Sequence, residues 1–430
     1  MVNYPYEPPP KDFETESRHA RVSLYCLLGF LFAYGLAASG FNIPALARGL
    51  GAIIVSPDIL INDYAEIAGM GPAFINSALC VFVGLWLLKL SGVSVSGPAI
   101  AAIFTIAGFS LFGKNIVNVW PGFLGAWLYS WASRRPFGEN IIVALFGTAL
   151  APLSSEVAFG MGIPVPWNIL AALAAGAAGG FLLSPIARHV LDFHRGYNLY
   201  NIGFASGLIG TVAMSGLKAF GVPLATSFRW AELDPLPVLP YLVAVFVSLI
   251  VVGMISDPGW VSSYKRLMAS PGRLVSDFVR YYGLGATFVN MGIMGLLACA
   301  VVLAIGGSWN GPVIGGILTI VGFSAFGKHP LNVVPPMLGV VAMALLSNYG
   351  IEKPATQLAV LFVSTLAPIS GEYGPFAGFV GGMVHLMLVQ VVGTLHGGLD
   401  LYNNGFAGGL TAGLLLPVLG WLREWRKHEV

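Results

Sequence analysis

Charge is what this chain has least of. Aspartate, glutamate, lysine and arginine make up 9% of its 430 residues, against about 25% in a soluble domain. Twenty-one basic and 19 acidic side chains cannot coat a water-facing surface of that size, and 56% of the residues are hydrophobic. Most of the outer surface is therefore expected to face hydrocarbon. The formal net charge of +2 leaves no broad basic field, which excludes a nucleic-acid partner. Cysteine is scarce as well. Cys26, Cys80 and Cys299 lie in apolar runs without C-x-x-C spacing, which argues against a disulfide framework or a zinc site and leaves them as small packing residues. The Walker loop, H-E-x-x-H and the G-x-S-x-G elbow are missing, so ATP-driven transport by this chain alone and common hydrolase chemistry have no support. Neither catalytic residues, nor a metal, nor a cofactor is expected, and the chain is not expected to be an enzyme.

Long apolar runs are what it has instead. A bilayer core of about 30 Å takes about 20 helical residues, and fourteen runs approach or reach that length: 22–41, 72–90, 97–112, 116–131, 140–159, 167–187, 197–215, 238–256, 286–306, 312–327, 331–347, 355–371, 375–393 and 401–422. Several are short and broken by Gly or Pro, notably 97–112 with 116–131 and 312–327 with 331–347, as re-entrant half-helices would be. Backbone that leaves the helix at membrane depth is tolerated only where protein or water covers it, so these breaks point inward. The first run is too long for a signal-peptide core and is expected to stay as the first span, with direct insertion into a plasma or inner membrane.

The strongest signal is an internal repeat. Gly97 to Gly125 aligns with Gly311 to Gly339 without a gap, and 17 of 29 positions are identical. Pro44, Asp63 and Asn76 align with Pro258, Asp277 and Asn290 on the same spacing; Ala151-Pro152 and Glu156 align with Ala367-Pro368 and Glu372, and Tyr200 to Leu208 with Tyr402 to Leu410, with small shifts. The expected organisation is a polar N-terminal tail (1–21), a first membrane repeat (22–215), a linker (216–237), a second repeat (238–422) and a C-terminal tail (423–430). Lys and Arg accumulate on the cytoplasmic side. The loop after the first span holds Arg48 against Asp58, Asp63 and Glu66, whereas its counterpart holds Lys265, Arg266, Arg273 and Arg280. Equivalent loops are therefore expected on opposite sides, with both termini cytoplasmic. The fold class that follows is an all-α integral membrane protein of two inverted-topology repeats, with 10 to 14 spans and interrupted or re-entrant helices.

Inverted repeats with interrupted spans place a substrate site near the midplane where the copies meet. Three polar sets recur in both copies. In G-F-S-x-F-G-K, Ser110 and Lys114 pair with Ser324 and Lys328; each ammonium either reaches a water-filled vestibule, where it attracts an anion or a carbonyl oxygen, or snorkels to the headgroups. In A-P-Φ-S-x-E, a proline breaks the helix close to Glu156 and Glu372. A carboxylate there marks a pathway or proton relay, or else sits at a helix end near the surface. The third set is Asn201 and Asn403, preceded by Tyr200 and Tyr402, with Asn198 and Asn404 close by. Asn offers donor and acceptor together, as a small neutral polar solute requires, while the neighbouring glycines are read as helix-packing positions. Asn118, Asn332, Asn76 and Asn290 line a cavity or join helices. His194 and His396 are vestibule residues at most, and Asp192 and Asp400 lack an obvious equivalent partner.

The G-F-S-x-F-G-K block and the L-Y-N-x-G-F-A-x-G element, each present in both halves, resemble an uncharacterised bacterial multi-spanning family, domain-of-unknown-function family 1576. That resemblance covers nearly the whole chain and implies a polytopic membrane protein without naming a substrate. More remotely, the doubled and inverted architecture is similar to urea transporters, which implies a trimeric homo-oligomer with a narrow pore for a small amide. Their F-N-G pattern is replaced here by Tyr-Asn-Ile-Gly and Tyr-Asn-Asn-Gly, so no pore residue is carried over. The expected function is a membrane transporter or channel for a small polar solute, its partners being the lipid bilayer and that solute. The alternatives are a membrane-embedded enzyme acting on a lipid-linked substrate, which needs acid–base groups converging near one leaflet, and a structural membrane subunit, whose function alanine at both Glu positions would leave intact.

Overall fold

The computed structural model describes residues 13–222 and 228–428, so the first twelve residues of the expected polar tail lie outside the described residues. From Phe13 onward that tail is already helix. All regular elements among the described residues are helical. The first half comprises α1 (Phe13–Ala38), α2 (Ile43–Ile54), α3 (Tyr64–Ala68), α4 (Met70–Leu90), α5 (Gly97–Phe109), α6 (Trp120–Ala132), α7 (Ile141–Gly147), α8 (Ala151–Ser155), α9 (Trp167–His194) and α10 (Asn201–Ala219). The second comprises α11 (Leu239–Ser256), α12 (Trp260–Met268), α13 (Phe278–Tyr282), α14 (Leu284–Ala304), α15 (Gly311–Phe323), α16 (Pro330–Leu346), α17 (Pro354–Phe362), α18 (Ala367–Tyr373), α19 (Pro375–His396) and α20 (Asn403–His428). The repeat seen in the sequence is thus carried element for element.

Ten of the described helical stretches are long and apolar enough to cross a membrane, five in each half. They are α1, α4, Ile141–Gly160, α9 and α10, then α11, α14, Pro354–Tyr373, α19 and most of α20. Their outward faces carry bare apolar side chains, such as Ile255 at 77% and Phe376 at 79% exposure, as lipid contact requires. The runs 97–112, 116–131 and 312–327 become helices of 13 residues and 331–347 one of 17. At 1.5 Å per residue, 13 residues reach about 20 Å, short of the hydrocarbon thickness.

The short helices α5 and α15 form the centre of the molecule and are buried along almost their whole length. They pack directly on each other. A Cβ on Gly108 would stand 2.5 Å from the carbonyl oxygen of Gly315, and one on Gly315 would stand 2.7 Å from that of Gly108, so only glycine lets the two backbones meet. Both helices start with Gly-Pro, where proline's missing N–H costs nothing. The N–H of each helix's first glycine is capped from the opposite half. The Asp63 carboxylate accepts from the Gly311 N–H at 3.2 Å, and the Asp277 carboxylate accepts from the Gly97 N–H at 3.0 Å. Asp63 also accepts from Ala65 N–H and Ala231 N–H, and Asp277 from Arg280 N–H. These carboxyls precede the spans α4 and α14. Burial raises both above the ordinary carboxyl range, Asp63 to about 6, and the backbone donors pull the other way.

Candidate functional site

After α5 and α15 the chain turns at Gly113 and Gly327, both at positive φ, and two lysines follow. The ends of these helices leave carbonyls without intrahelical partners. Asn76 of α4 donates to the carbonyls of Ser110 (2.7 Å) and Lys114 (2.8 Å), and Asn290 of α14 donates to those of Ser324 and Lys328, both at 2.7 Å. Asn76 Oδ1 in turn accepts from Ile116 N–H. Residue 330 in the second copy is proline and has no N–H to give, which accounts for Asn290 Oδ1 having no partner.

Asn118 and Asn332 brace the same turns. Their side chains accept from the backbone N–H of Asn115 and His329 and donate to the carbonyls of Gly113 and Gly327. In the first half a fully buried carboxylate adds to this bracing. Asp58 accepts from the Tyr64 hydroxyl, the Asn115 and Asn118 amides and the Ser155 hydroxyl, at 2.7 to 3.0 Å. The second half holds Gly272, Phe278, His329 and Gly371 at the positions of Asp58, Tyr64, Asn115 and Ser155. That network is therefore built once.

The rigid turns aim the lysines across the interface between the halves. Lys114 Nζ donates to the Tyr402 hydroxyl at 2.6 Å; Lys328 Nζ donates to the Tyr200 hydroxyl at 2.5 Å and to Ser364 Oγ at 2.7 Å. Both lysines are fully buried, so the snorkelling alternative does not describe them. Each ammonium also stands over the faces of two rings, Lys114 over Phe109 and Tyr402, Lys328 over Phe323 and Tyr200, at 4.3 to 5.3 Å from the centroids. Asp400, whose counterpart in the first half is Asn198, is fully buried and accepts from the Ser206 hydroxyl and the Tyr402 N–H.

Between the tyrosines lies a cavity of about 190 Å³. Its narrow walls are Phe109, Phe146, Phe323, Phe362, Tyr200 and Tyr402. The ring contacts repeat across the halves: Phe109 with Tyr402 (4.6 Å) and Phe362 (5.5 Å), and Phe323 with Tyr200 (4.7 Å) and Phe146 (5.5 Å). At Val275, 68% exposed, the lining reaches the surface. A second cavity of about 50 Å³, bordered by Leu60 and Ile61, shares Phe109, Phe362, Leu401 and Asn404 with the first. Leu60 and Ile61 are the counterparts of Leu274 and Val275. The two cavities thus stand at equivalent places on either side of the aromatic slot, one wide and one narrow.

A family model described as a protein of unknown function, DUF1576, matches residues 43–219 and 257–421, which contain both lysines, both tyrosines and all four slot phenylalanines. The chain belongs to that family. No curated protein and no solved structure matches it. In this DUF1576 protein the structure brings Lys114 and Lys328 to the slot through the tyrosines. Asn201 lines the wide cavity and Asn403 the narrow one. Each of these asparagines is held by a histidine, His194 and His396, at 2.9 Å, and donates to the preceding helix at the carbonyls of Ala187 and Val389. The other expected site residues lie off the cavity. Ser110 sits beside Cys80, and Ser324 Oγ donates back to Ile320. Asn118 and Asn332 are struts. Glu156 is buried on a π-helical turn with its carboxylate folded over Gly160, and Glu372 pairs with Arg423 at 3.0 Å. The slot phenylalanines were missed in the sequence because a phenylalanine in an apolar run looks like packing. Extending the repeat through L-F-G-T-A-L-A-P and L-F-V-S-T-L-A-P would have paired Phe146 with Phe362.

Proposed function

We propose that this protein is a membrane transporter or channel for a small polar solute, whose path runs between the two halves through the aromatic slot. The observation that carries this reading is the lining of the cavity. Equivalent residues of both halves face it, including Thr105 with Thr319, Phe109 with Phe323 and Tyr200 with Tyr402. A cavity built this way lies on the relation that exchanges the halves. Five spans per half is an odd number, so the second copy enters the membrane from the opposite side, and its equivalent loops face the opposite compartment. On this reading the α5–α6 and α15–α16 pairs dip in and return, as in transporters with discontinuous helices. On the same reading the wide mouth at Val275, within the basic 265–280 loop, faces the cytoplasm.

Uptake into proteoliposomes tests the function, using a panel of small solutes with and without pH and sodium gradients. Flux that needs no gradient assigns a channel, and gradient-driven accumulation assigns coupled transport. Flux no faster than in protein-free vesicles for every solute sinks the reading. The topology has its own test. Arg48 and Ser262 are equivalent and exposed, so Arg48→Cys and Ser262→Cys, each in a Cys26→Ser background, must be labelled by an impermeant thiol reagent from opposite sides.

A further inference from the structure

The cavity departs from symmetry at one polar point. Asn404 and His385 occupy the positions that Ile202 and Leu183 hold in the first half. His385 is fully buried, and its Nε2 lies 3.0 Å from Asn404 Oδ1. Because the amide oxygen accepts, Nε2 carries the proton, and the amide nitrogen is turned the other way. Asn404 is 8% exposed and borders both cavities. Neither its Nδ2 nor its backbone N–H has a hydrogen-bond partner among the described residues. That N–H belongs to the first turn of α20, where peptide groups offer donors and a partial positive charge.

The other polar side chains of the lining are already engaged. The hydroxyls of Thr105 and Thr319 donate to Ala101 and Gly315 of their own helices, and the tyrosine hydroxyls accept from the lysines. What remains free at the slot, among the described residues, is one side-chain donor, Asn404 Nδ2, set among aromatic rings beside the open first-turn N–H groups of α20 and α10. Donors select an acceptor over a cation, which can only donate, and rings select a flat apolar body.

Resting on the transport reading, we infer that Asn404 is the group that recognises the solute, that the solute carries a trigonal carbonyl or carboxylate oxygen, and that His385 is the positioning residue for Asn404. An engineered cavity of about 150 Å³ holds benzene, so the solute has up to roughly eight non-hydrogen atoms.

The test compares acetamide, acetate and ethylammonium in proteoliposomes, using wild type, Asn404→Ile, His385→Leu and the double variant. The replacements are the residues the first half already uses at these places, and the double variant avoids leaving His385 without its partner. Wild type is expected to pass acetamide or acetate at least about tenfold faster than ethylammonium, one hydrogen bond of about 1.4 kcal/mol being a factor of ten. Acetamide ahead of acetate marks a neutral carbonyl solute, and the reverse marks a carboxylate. Asn404→Ile and the double variant should lose that preference to the same degree, because His385 acts only through Asn404, while His385→Leu loses part of it. Thermal unfolding in detergent supplies a readout independent of flux: acetamide or acetate stabilises wild type and not Asn404→Ile. Preference for ethylammonium, or a preference unchanged in both Asn404→Ile and the double variant, overturns the inference while leaving transport standing. Solute-dependent stabilisation without flux in any vesicle overturns transport and keeps the site, and absence of both overturns the two together.

Discussion

Substituting Asp63 by alanine removes the acceptor for three backbone N–H groups that come from three separate segments: Ala65 at the start of α3, Ala231 in the loop before α11, and Gly311 at the start of α15. Asp277→Ala removes the acceptor for two, Gly97 and Arg280. An N–H left without an acceptor costs about 1–3 kcal/mol where it stays dry, and a lost helix cap about 1 kcal/mol. Relief from holding a desolvated carboxylate offsets part of this. The expected loss is about 2–4 kcal/mol for Asp63→Ala and about 1–3 kcal/mol for Asp277→Ala, large against a total stability of about 5–15 kcal/mol. The assay is reversible unfolding in mixed micelles well above the carboxyl pKa, with size-exclusion profiles as a check on aggregation. Both variants should unfold at lower denaturant, Asp63→Ala more so, with a similar dependence on denaturant concentration. If both lie within about 0.5 kcal/mol of wild type, as surface substitutions do, the reciprocal caps do not hold the halves together.

The remaining expectations are shorter to state. Asp63 binds its proton more tightly folded, at about 6, than in the unfolded chain, at 3.8, so holding that proton adds about 3 kcal/mol, at 1.4 kcal/mol per pH unit, that is full below about pH 4 and lost as pH rises through about 6, where only the acceptor role remains. Asp63→Asn should flatten that slope in urea titrations at several pH values. Phe109→Ala removes one of the four residues that border both cavities and should raise flux of solutes too large for wild type, measured as a widened size cut-off in liposome swelling. Lys328→Met leaves the Tyr200 and Ser364 hydroxyls without their donor and should slow a carbonyl solute by about tenfold, whereas Lys114→Met should do so at Tyr402. Gly203→Ala places a Cβ 2.8 Å from Tyr402 Cβ and 2.9 Å from Gly405 Cα and should cost about 1–3 kcal/mol by forcing the helix starts apart.

The elements that could be read from the sequence are those that depend on local pattern. Helix class and the short pairs 97–131 and 312–347 followed from run length and from Gly and Pro placement, which left the number of spans at 10 to 14, and the Lys114–Lys328 pairing followed from the repeat. Contacts between halves did not follow, because a repeat shows which residues are equivalent and not which ones touch. Asp63 was visibly the counterpart of Asp277, yet its partner is Gly311. Tyr200 was visibly the counterpart of Tyr402, yet it meets Lys328. The glutamates illustrate the same limit. A carboxylate beside a proline break stands out in an apolar run, but Arg423, which neutralises Glu372, is 51 residues further along the chain. His385 was hidden for the opposite reason, since its counterpart Leu183 offers no repeated polar signal.

The reciprocal caps also set an order of events at the ribosome. The carboxylate that completes the start of α5 lies 180 residues downstream of it, which at about 5–20 residues per second is about 10–40 s of synthesis. Throughout that interval the first-made half sits in the membrane with an open helix end and an uncovered glycine face.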